Sequence, residues 1–299
     1  MSIDQKAGEW GKQTETVDCP ICGPFPTSKF LSSNGFQIEQ CRQCTLLYVN
    51  PRCNPQELAQ HFREEYIADD ERVQVEFVSY REASLAREAA TIKELSPQGG
   101  RLLDVGTASG LFLTHFSKEA NWKAEGVEPS SFAARYAREQ FGLTIHEGFL
   151  NDQQFGDAIF DVVTSLDTFP LHPYPNEDLA EMGRILKMGG LLAIEIPGLT
   201  FRLLKNTGLI SRLLYGEPVR LNAGIHLFYY SRETLVRLLS LHGFELVMVV
   251  PEQAPVYGSA FLRFLNGGFF TMSKMLAHLS FGKINVVPKE FCVFRKVRG

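Results

Sequence analysis

The stretch LLDVGTASG, Leu102 to Gly110, decides how this chain folds. Leu102 to Val105 reads as a short buried strand that ends in an acid, Asp104. Gly106 and Gly110 then bracket Thr107, Ala108 and Ser109, and GLFLTHFSKEA (110–120) follows with apolar residues at helical spacing. Strand, glycine loop and helix in that order bring backbone N–H groups and a helix N-terminus close to any ligand above the loop. A dinucleotide loop reads G-x-G-x-x-G, with the third glycine needed for close contact between helix and strand. Here the glycines stand four apart with Ala108 between them, so the loop does not match that pattern.

Outward from the loop the chain alternates. WKAEGVEP (122–129), LTIHEG (143–148), IFDVVTSLD (159–167) and LLAIEIPG (191–198) read as strands. SSFAARYAREQFG (130–142) and NEDLAEMGRILKMGG (176–190) read as helices with glycine stops; Ser130 or Ser131 caps the first. Residues 56–96 read as helical, ended by Pro97-Gln98-Gly99-Gly100. The tail adds a helix over 231–244, a strand over 245–251 and a last strand over 290–297, after a long insertion. The fold class is α/β: right-handed βαβ units and a parallel sheet covered by helices on both faces.

The front of the chain carries a second pattern. Of the six cysteines, Cys19 and Cys22 form one C-x-x-C and Cys41 and Cys44 another, 18 residues later. Each pair makes a tight turn that aims two sulfurs at one point, and two such turns close a tetrahedral S4 site suited to zinc. Asn34-Gly35 marks a hairpin turn between them, and TLLYVNP follows as a strand. This is a zinc-ribbon pattern over residues 1–55. A redox dithiol is disfavoured because neither C-x-x-C opens a helix after a strand. Residues 17–53 carry Lys29, Arg42 and Arg52 against Asp18 and Glu39, too few cations to grip phosphates. A docking or substrate-framing role therefore fits the ribbon better than RNA binding. Cys53 and Cys292 read as ordinary thiols.

The composition, 44% hydrophobic and 21% charged, is that of a globular protein able to bury a core. No apolar run approaches the roughly 20 residues that span a bilayer. The polar N-terminus has no apolar h-region, so the expected location is cytoplasmic. The net charge of −4 hides an asymmetry: residues 201–299 hold 13 Lys and Arg against 5 Asp and Glu. A basic C-terminal third points toward an anionic partner.

Glu128 stands 22 positions after Gly106, at the end of the second strand, where a carboxylate can accept both hydroxyls of a ribose. NAD enzymes place one similarly, so Glu128 alone does not discriminate. The ordered set LLDVGxxxG, GVEPS, FDVV, RxLKxGGxLxIExP and HLFYYSxETL…GF does. With it the chain resembles the class I S-adenosylmethionine-dependent methyltransferases of the type 11/23-like branch, over about residues 80–251 plus the final strand. The resemblance implies a Rossmann-like seven-stranded methyltransferase sheet over 56–299, with S-adenosylmethionine as cofactor beside the structural zinc. It places Asp104 near the methionine amino group and Gly106 where the backbone nears the methionine moiety. Thr107, Ala108 and Gly110 complete the loop, and Glu128 with Pro129 meets the ribose. Leu150 and Asp152 of GFLND frame the adenine, Asp152 as an N6 acceptor, and Ser165 with Leu166 passes under the methionine. Two positions depart from the family. Ala108 stands where glycine is commonest, tolerable if its φ stays negative. Thr168 stands where an acid–histidine pair usually places the histidine, after a matching Asp167.

A base is required only if the acceptor must lose a proton. His172, four residues past Thr168, and His226, which opens HLFYYS, are the candidates, with Asp167 beside them and Glu195 also able to face the pocket. Two apolar insertions, about 199–224 and 253–283, read as lids. They carry Arg202, Lys205, Arg212 and Arg220, then Arg263, Lys274 and Lys283. The expected partner is a small-molecule acceptor, anionic or partly apolar, such as a nucleotide- or lipid-linked sugar methylated on oxygen or carbon. Contact with a membrane surface and a homodimer face are further expectations for the lids, and nucleic acid is disfavoured. Two alternatives stand beside this: an RNA methyltransferase gripping its substrate with the ribbon, and a non-catalytic binding protein with a degenerate loop.

Overall fold

The structure, a computed structural model, describes residues 13–64, 71–253, 260–280 and 284–298. Lys283 and the side chain of Arg263, two of the lid cations, lie outside the described residues.

The front folds as a small β unit. β1 (Thr14–Glu15) pairs with β5 (Arg52–Cys53), and β2 (Thr27–Ser33), β3 (Phe36–Cys41) and β4 (Leu47–Val49) form an antiparallel meander. Asn34 and Gly35 join β2 to β3 with φ values of 53° and 79°, the two positive values that a type I′ hairpin turn requires. Helices α1 (Pro55–Glu64) and α2 (Glu71–Leu95) lead into the main sheet.

That sheet is built from β6 (Gly100–Val105), α3 (Leu111–Thr114), β7 (Trp122–Glu128), α4 (Ser131–Phe141), β8 (Thr144–Glu147), β9 (Phe160–Leu166), α5 (Pro175–Ile185) and β10 (Leu186–Pro197). Then come α6 (Leu199–Asn206), α7 (Gly208–Tyr215), β11 (Phe228–Tyr229), α8 (Arg232–Leu241), β12 (Phe244–Glu252), α9 (Ala260–Leu279) and β13 (Lys289–Lys296). The seven strands run in the order β12-β13-β10-β9-β6-β7-β8, with β13 antiparallel to both neighbours and β6 to β10 parallel. This is the seven-stranded Rossmann-like sheet expected of the resemblance. Neighbouring residues feed opposite faces, as strand pleating demands. Leu103, Val163 and Leu192 meet α5 and α8, while Leu102, Val162 and Leu191 meet α2, α3 and α4.

Two elements differ from the sequence reading. The helix expected over 110–120 is only Leu111–Thr114. Beyond it the chain tightens into turns: the His115 N–H donates to the Phe112 carbonyl and the Phe116 N–H to the Leu113 carbonyl. Phe116 is drawn inward between Phe112 and Trp122, with ring centroids 5.2 and 4.9 Å away. Lys93 of α2 takes the freed His115 carbonyl at 2.7 Å. The helix expected over 176–190 stops at Ile185, because Leu186 already pairs with Phe160 of β9. Residues 187–190 bulge before pairing resumes between Leu191 and Val162. Lys296 satisfies the helix end by donating to the Gly183 and Leu186 carbonyls. Apolar edge pairing outweighed helix propensity in that segment.

Gly110 sits at φ 75°, and a Cβ there would lie 2.6 Å from Leu143 Cδ1 and 3.0 Å from Ala137 Cβ. Gly110→Ala is therefore expected to destabilise the protein by about 1–3 kcal/mol, from left-handed strain plus overpacking. Urea unfolding measures it, and an unchanged midpoint would refute the close approach.

Candidate active site

The strand order reverses between β6 and β9, since β7 and β8 extend one way from β6 and β10 the other. Open α/β sheets form their ligand crevice at such a switch, outside the carboxyl ends of the strands. Asp104, the Gly106–Gly110 loop, Glu128 and Asp167 all stand at that edge.

The loop spends its amides on the protein. Gly106 and Thr107 N–H donate to the Val127 carbonyl at 2.8 and 3.1 Å, and Gly110 N–H donates to the Thr107 carbonyl at 2.9 Å. Ala108 N–H donates to Glu128 Oε2 at 2.7 Å, and Ser130 N–H to Glu128 Oε1 at 2.9 Å. A pyrophosphate cradle needs those N–H groups free. Ala108 does not keep the negative φ that would make its methyl harmless. It lies at 49°, a strain of about 1–2 kcal/mol, held by the bond to Glu128. Gly106 is required for a reason invisible in the motif: a Cβ there would sit 2.7 Å from Thr168 Cγ2. Thr168, at the position of the missing histidine, shares a 2.7 Å hydrogen bond with Ser165 Oγ and donates to the Val105 carbonyl at 3.1 Å. It latches the end of β9 to the glycine loop.

Asp104 and Glu128 are buried acids without an ion-pair partner among the described residues. Burial pushes Asp104 up to about 6, opposed by the Thr164 hydroxyl that donates to it at 2.6 Å. Burial pushes Glu128 up to about 7, opposed by its two backbone donors and reinforced by the Asp104 charge. Both acids lack what a ligand with an ammonium group and ribose hydroxyls would bring. Leu150 is buried in the turn after β8. The Asp152 carboxylate accepts from Phe149 N–H at 3.0 Å and lies 3.5 Å from Arg63. It is thus partly committed to holding that turn. Pro129 links Glu128 to Ser130, the N-cap of α4.

On the other side of the switch, Asp167 has φ 64° and accepts from Lys289 Nζ at 2.7 Å and Arg81 Nη1 at 3.4 Å. Glu195, fully buried, binds the same two cations at 3.2 and 2.5 Å. Burial raises the Asp167 carboxyl, but Lys289 and Arg81 outweigh it and hold the group well below the usual carboxylate range. Asp167 forms one wall of a cavity of about 420 Å³, lined also by Pro197, Arg202, Asn206, Arg220, Asn222, His226 and Lys289. Burial and Arg202 hold the His226 imidazole well below its ordinary value, and its Nδ1 is buried without a hydrogen bond. Asn222 sits at φ 53°, a second strained residue at the same cavity, as ligand sites often show.

His172 does not line this cavity. Its Nδ1 pairs with Asp178 Oδ2 at 2.8 Å, and Asp178 also accepts from Asn151 at 2.6 Å. Glu195 lies behind the cavity rather than in its wall. Arg81 and Lys289, which set the Asp167 charge, carried no motif signal: they come from α2 and β13 and meet only in the folded chain.

The sulfurs of Cys19, Cys22, Cys41 and Cys44 all lie within 4.8 Å of one another, and four such thiols can hold one tetrahedral metal ion. Burial pushes the Cys19, Cys22 and Cys44 thiols up to about 11. Their unit is tied to the cavity. β4 pairs with β11, Tyr48 opposite Phe228 and Leu47 opposite Tyr229. The Leu221 N–H donates to Ser33 Oγ at 3.0 Å, and Arg52 Nη1 donates to the Pro173 carbonyl at 2.5 Å. Segment 221–230, which carries Asn222 and His226, is thereby fixed against the ribbon.

A family model described as a methyltransferase domain matches residues 77–249. A phosphatidylethanolamine N-methyltransferase of Cereibacter sphaeroides is 27% identical over 123 residues, 39% of this chain and 60% of that protein. A ubiquinone biosynthesis O-methyltransferase of Nitrosococcus oceani is 33% identical over 98 residues, 31% of this chain and 41% of that protein. The chain thus spans about half the length of the curated relatives it matches. The crystal structure of the [4+2]-cyclase SpnF superposes with a TM-score of 0.50 at 17% identity, covering 72% of this chain and 82% of that one, a likeness of fold. With more than half of its residues in the family match and the seven-stranded sheet around a buried acid-lined loop, the chain belongs to the methyltransferase domain family.

Proposed function

We propose that the enzyme methylates a small-molecule acceptor that carries an anionic group, on oxygen or carbon, with a nucleotide- or lipid-linked sugar as the chemistry that fits best. The observation that supports this is the cavity beside Asp167, whose lining carries the cations Arg202, Arg220 and Lys289. Such a wall favours a phosphate or carboxylate over a neutral group. The Cereibacter relative is named for a phospholipid acceptor, whose phosphodiester is such an anion.

S-adenosylmethionine supplies an electrophilic methyl group on a sulfonium. On this reading Asp104 accepts from the cofactor's amino group and Glu128 from its ribose hydroxyls. The backbone of Gly106, Thr107, Ala108 and Gly110 shapes the floor, with Pro129 at the ribose and Ser165 under the methionine. Leu150 and Asp152 border the adenine. Arg202, Arg220 and Lys289 hold the acceptor's anion and so aim its nucleophilic atom at the methyl group, a positioning role. His226 is the base: it lines the cavity, its imidazole is kept neutral and its buried Nδ1 holds no hydrogen bond, so that it takes the acceptor's proton once the acceptor is seated. Asp167, ionised and facing the same cavity, favours the imidazolium that results. The four thiolates hold a structural zinc, and the ribbon frames the acceptor wall through β4 and β11.

Three outcomes follow from this assignment. By calorimetry the protein binds S-adenosylmethionine, and Glu128→Gln weakens binding about ten-fold or more. Going from about pH 8 to about pH 5.5 also weakens binding, as Glu128 and then Asp104 protonate. Stability of the free protein moves oppositely. Both folded-state values lie above the unfolded ones, so their contribution is present at low pH and lost as pH rises to about 7. Absence of cofactor binding would overturn the reading.

With labelled cofactor, a screen of sugar nucleotides, phenols and RNA is expected to yield transfer to a phosphate-bearing small molecule. His226→Gln then lowers kcat about a hundred-fold while leaving cofactor affinity unchanged. Equal turnover in the variant would remove His226 from the chemistry.

Metal analysis is expected to find about one zinc per chain, lost in Cys41→Ser together with melting temperature, because Cys19, Cys41 and Cys44 share a core with Phe228 and Tyr230. A fully folded protein without metal would refute the zinc.

A further inference from the structure

Two helices near the cavity are inverted in polarity. In α7, Ser211 is 0% exposed while Leu209 and Leu213 are 72% and 77% exposed, and Ile210 and Leu214 also face out. In α9, Ser273 is 0% exposed, while Met272, Met275 and Leu279 face solvent, Leu279 at 71%. Globular helices bury the aliphatic face and expose the polar one. Among the described side chains of these two helices, the buried one is a serine on each. The two faces are linked to the cavity by α6, which supplies Arg202 and Asn206 to its wall. α6 packs on α7, and its Phe201 meets Phe269 of α9 with ring centroids 5.4 Å apart.

Charge says what covers this surface. Helices α6, α7 and α9 contain no Asp or Glu, and they carry Arg202, Lys205, Arg212, Arg263 and Lys274. Lys205, Arg212 and Lys274 are exposed. Exposed aliphatic side chains with cations and no acids match the interface of an anionic bilayer, where the chains enter the acyl boundary and the cations meet phosphates. A second copy of this chain fits less well, because it would bring the same acid-free, cationic helices face to face with the first; Glu217, exposed two residues past α7, is the acid beside them in the chain. No described helix is long and apolar enough to cross a membrane, so the contact is interfacial.

We propose that α7 and α9 dock the enzyme onto the surface of an anionic phospholipid bilayer. The cavity behind α6 then receives the anionic headgroup of an amphiphilic acceptor while its apolar chain stays in the bilayer. The docking rests on the helices alone; the identity of the acceptor rests on the reading of the cavity given above.

The test is co-sedimentation of the full chain with vesicles of phosphatidylcholine alone and of phosphatidylcholine with phosphatidylglycerol. Binding is expected only with phosphatidylglycerol. It should fall about ten-fold or more in Leu213→Ser/Leu279→Ser and in Arg212→Glu/Lys274→Glu. S-adenosylmethionine affinity should stay unchanged in both variants, which shows that they fold. No binding to anionic vesicles, or equal binding by the variants, overturns the proposal. So does a lipid-free dimer of the wild type that Leu213→Ser/Leu279→Ser dissolves, since the surface then serves a second copy. Transfer to a soluble sugar nucleotide without vesicle binding sinks the docking and leaves the proposed function standing. Vesicle binding by an enzyme that methylates no phosphate-bearing acceptor does the reverse.

Discussion

Two residue pairs, Tyr48 with Phe228 and Leu47 with Tyr229, join the ribbon to the catalytic body as neighbouring strands of one sheet. The acceptor side depends on that join. Strand β11 is only two residues long, too short to hold a position by itself. Its place is fixed because β4 supplies the partner and because Phe228 and Tyr230 share a core with Tyr48, Leu46 and three of the four clustered cysteines. The loop just before β11 carries Asn222 and His226 into the cavity. The cysteine cluster is therefore mechanically upstream of the wall, although its sulfurs take no part in that wall.

The crevice at the strand-order reversal has two electrostatic halves. On the loop side, Asp104 and Glu128 are buried with hydrogen-bond donors and, among the described residues, no paired cation, so burial keeps both above their ordinary values. On the cavity side, Lys289 and Arg81 saturate Asp167 and Glu195, and Arg202 and Arg220 add further positive charge. One half calls for a ligand that is cationic or rich in hydroxyls, and the other for an anion. On the proposed reading the cofactor's ammonium and ribose meet the first half and the acceptor's anion meets the second.

Thr168 shows how a departure from a family pattern can be structural. Its hydroxyl links Ser165 to the Val105 carbonyl, and its methyl occupies the space that a Cβ on Gly106 would need. A histidine there would displace this latch. His226, the base of the proposed mechanism, lines the cavity from a segment nearly sixty residues later in the chain. Ala108 is a second case. Its left-handed backbone is tolerated because the amide it aims at Glu128 gains a charge-assisted bond.

The local elements were legible in the sequence because their causes are local. Apolar runs of strand length, the Ser130 cap, the Gly142 stop and the Asn34-Gly35 turn each act within a few residues. The paired C-x-x-C motifs and the four-apart glycines were legible for the same reason. Where the reading slipped, as in the helices expected over 110–120 and 176–190, a long-range contact decided: Phe116 against Trp122, and Leu186 against Phe160. The cavity was not legible. Its walls come from β10, α6, two loops and the start of β13, and the charge of Asp167 is set by Arg81, 86 residues before it, and by Lys289, 122 residues after it. The sequence by itself determined the sheet, the glycine loop and the pairing of the four N-terminal cysteines, since short-range periodicity and turn chemistry specify them. Only the tertiary structure decided which histidine lines the cavity and which charges surround it, because Coulomb and contact energies depend on distance in space and not on separation along the chain.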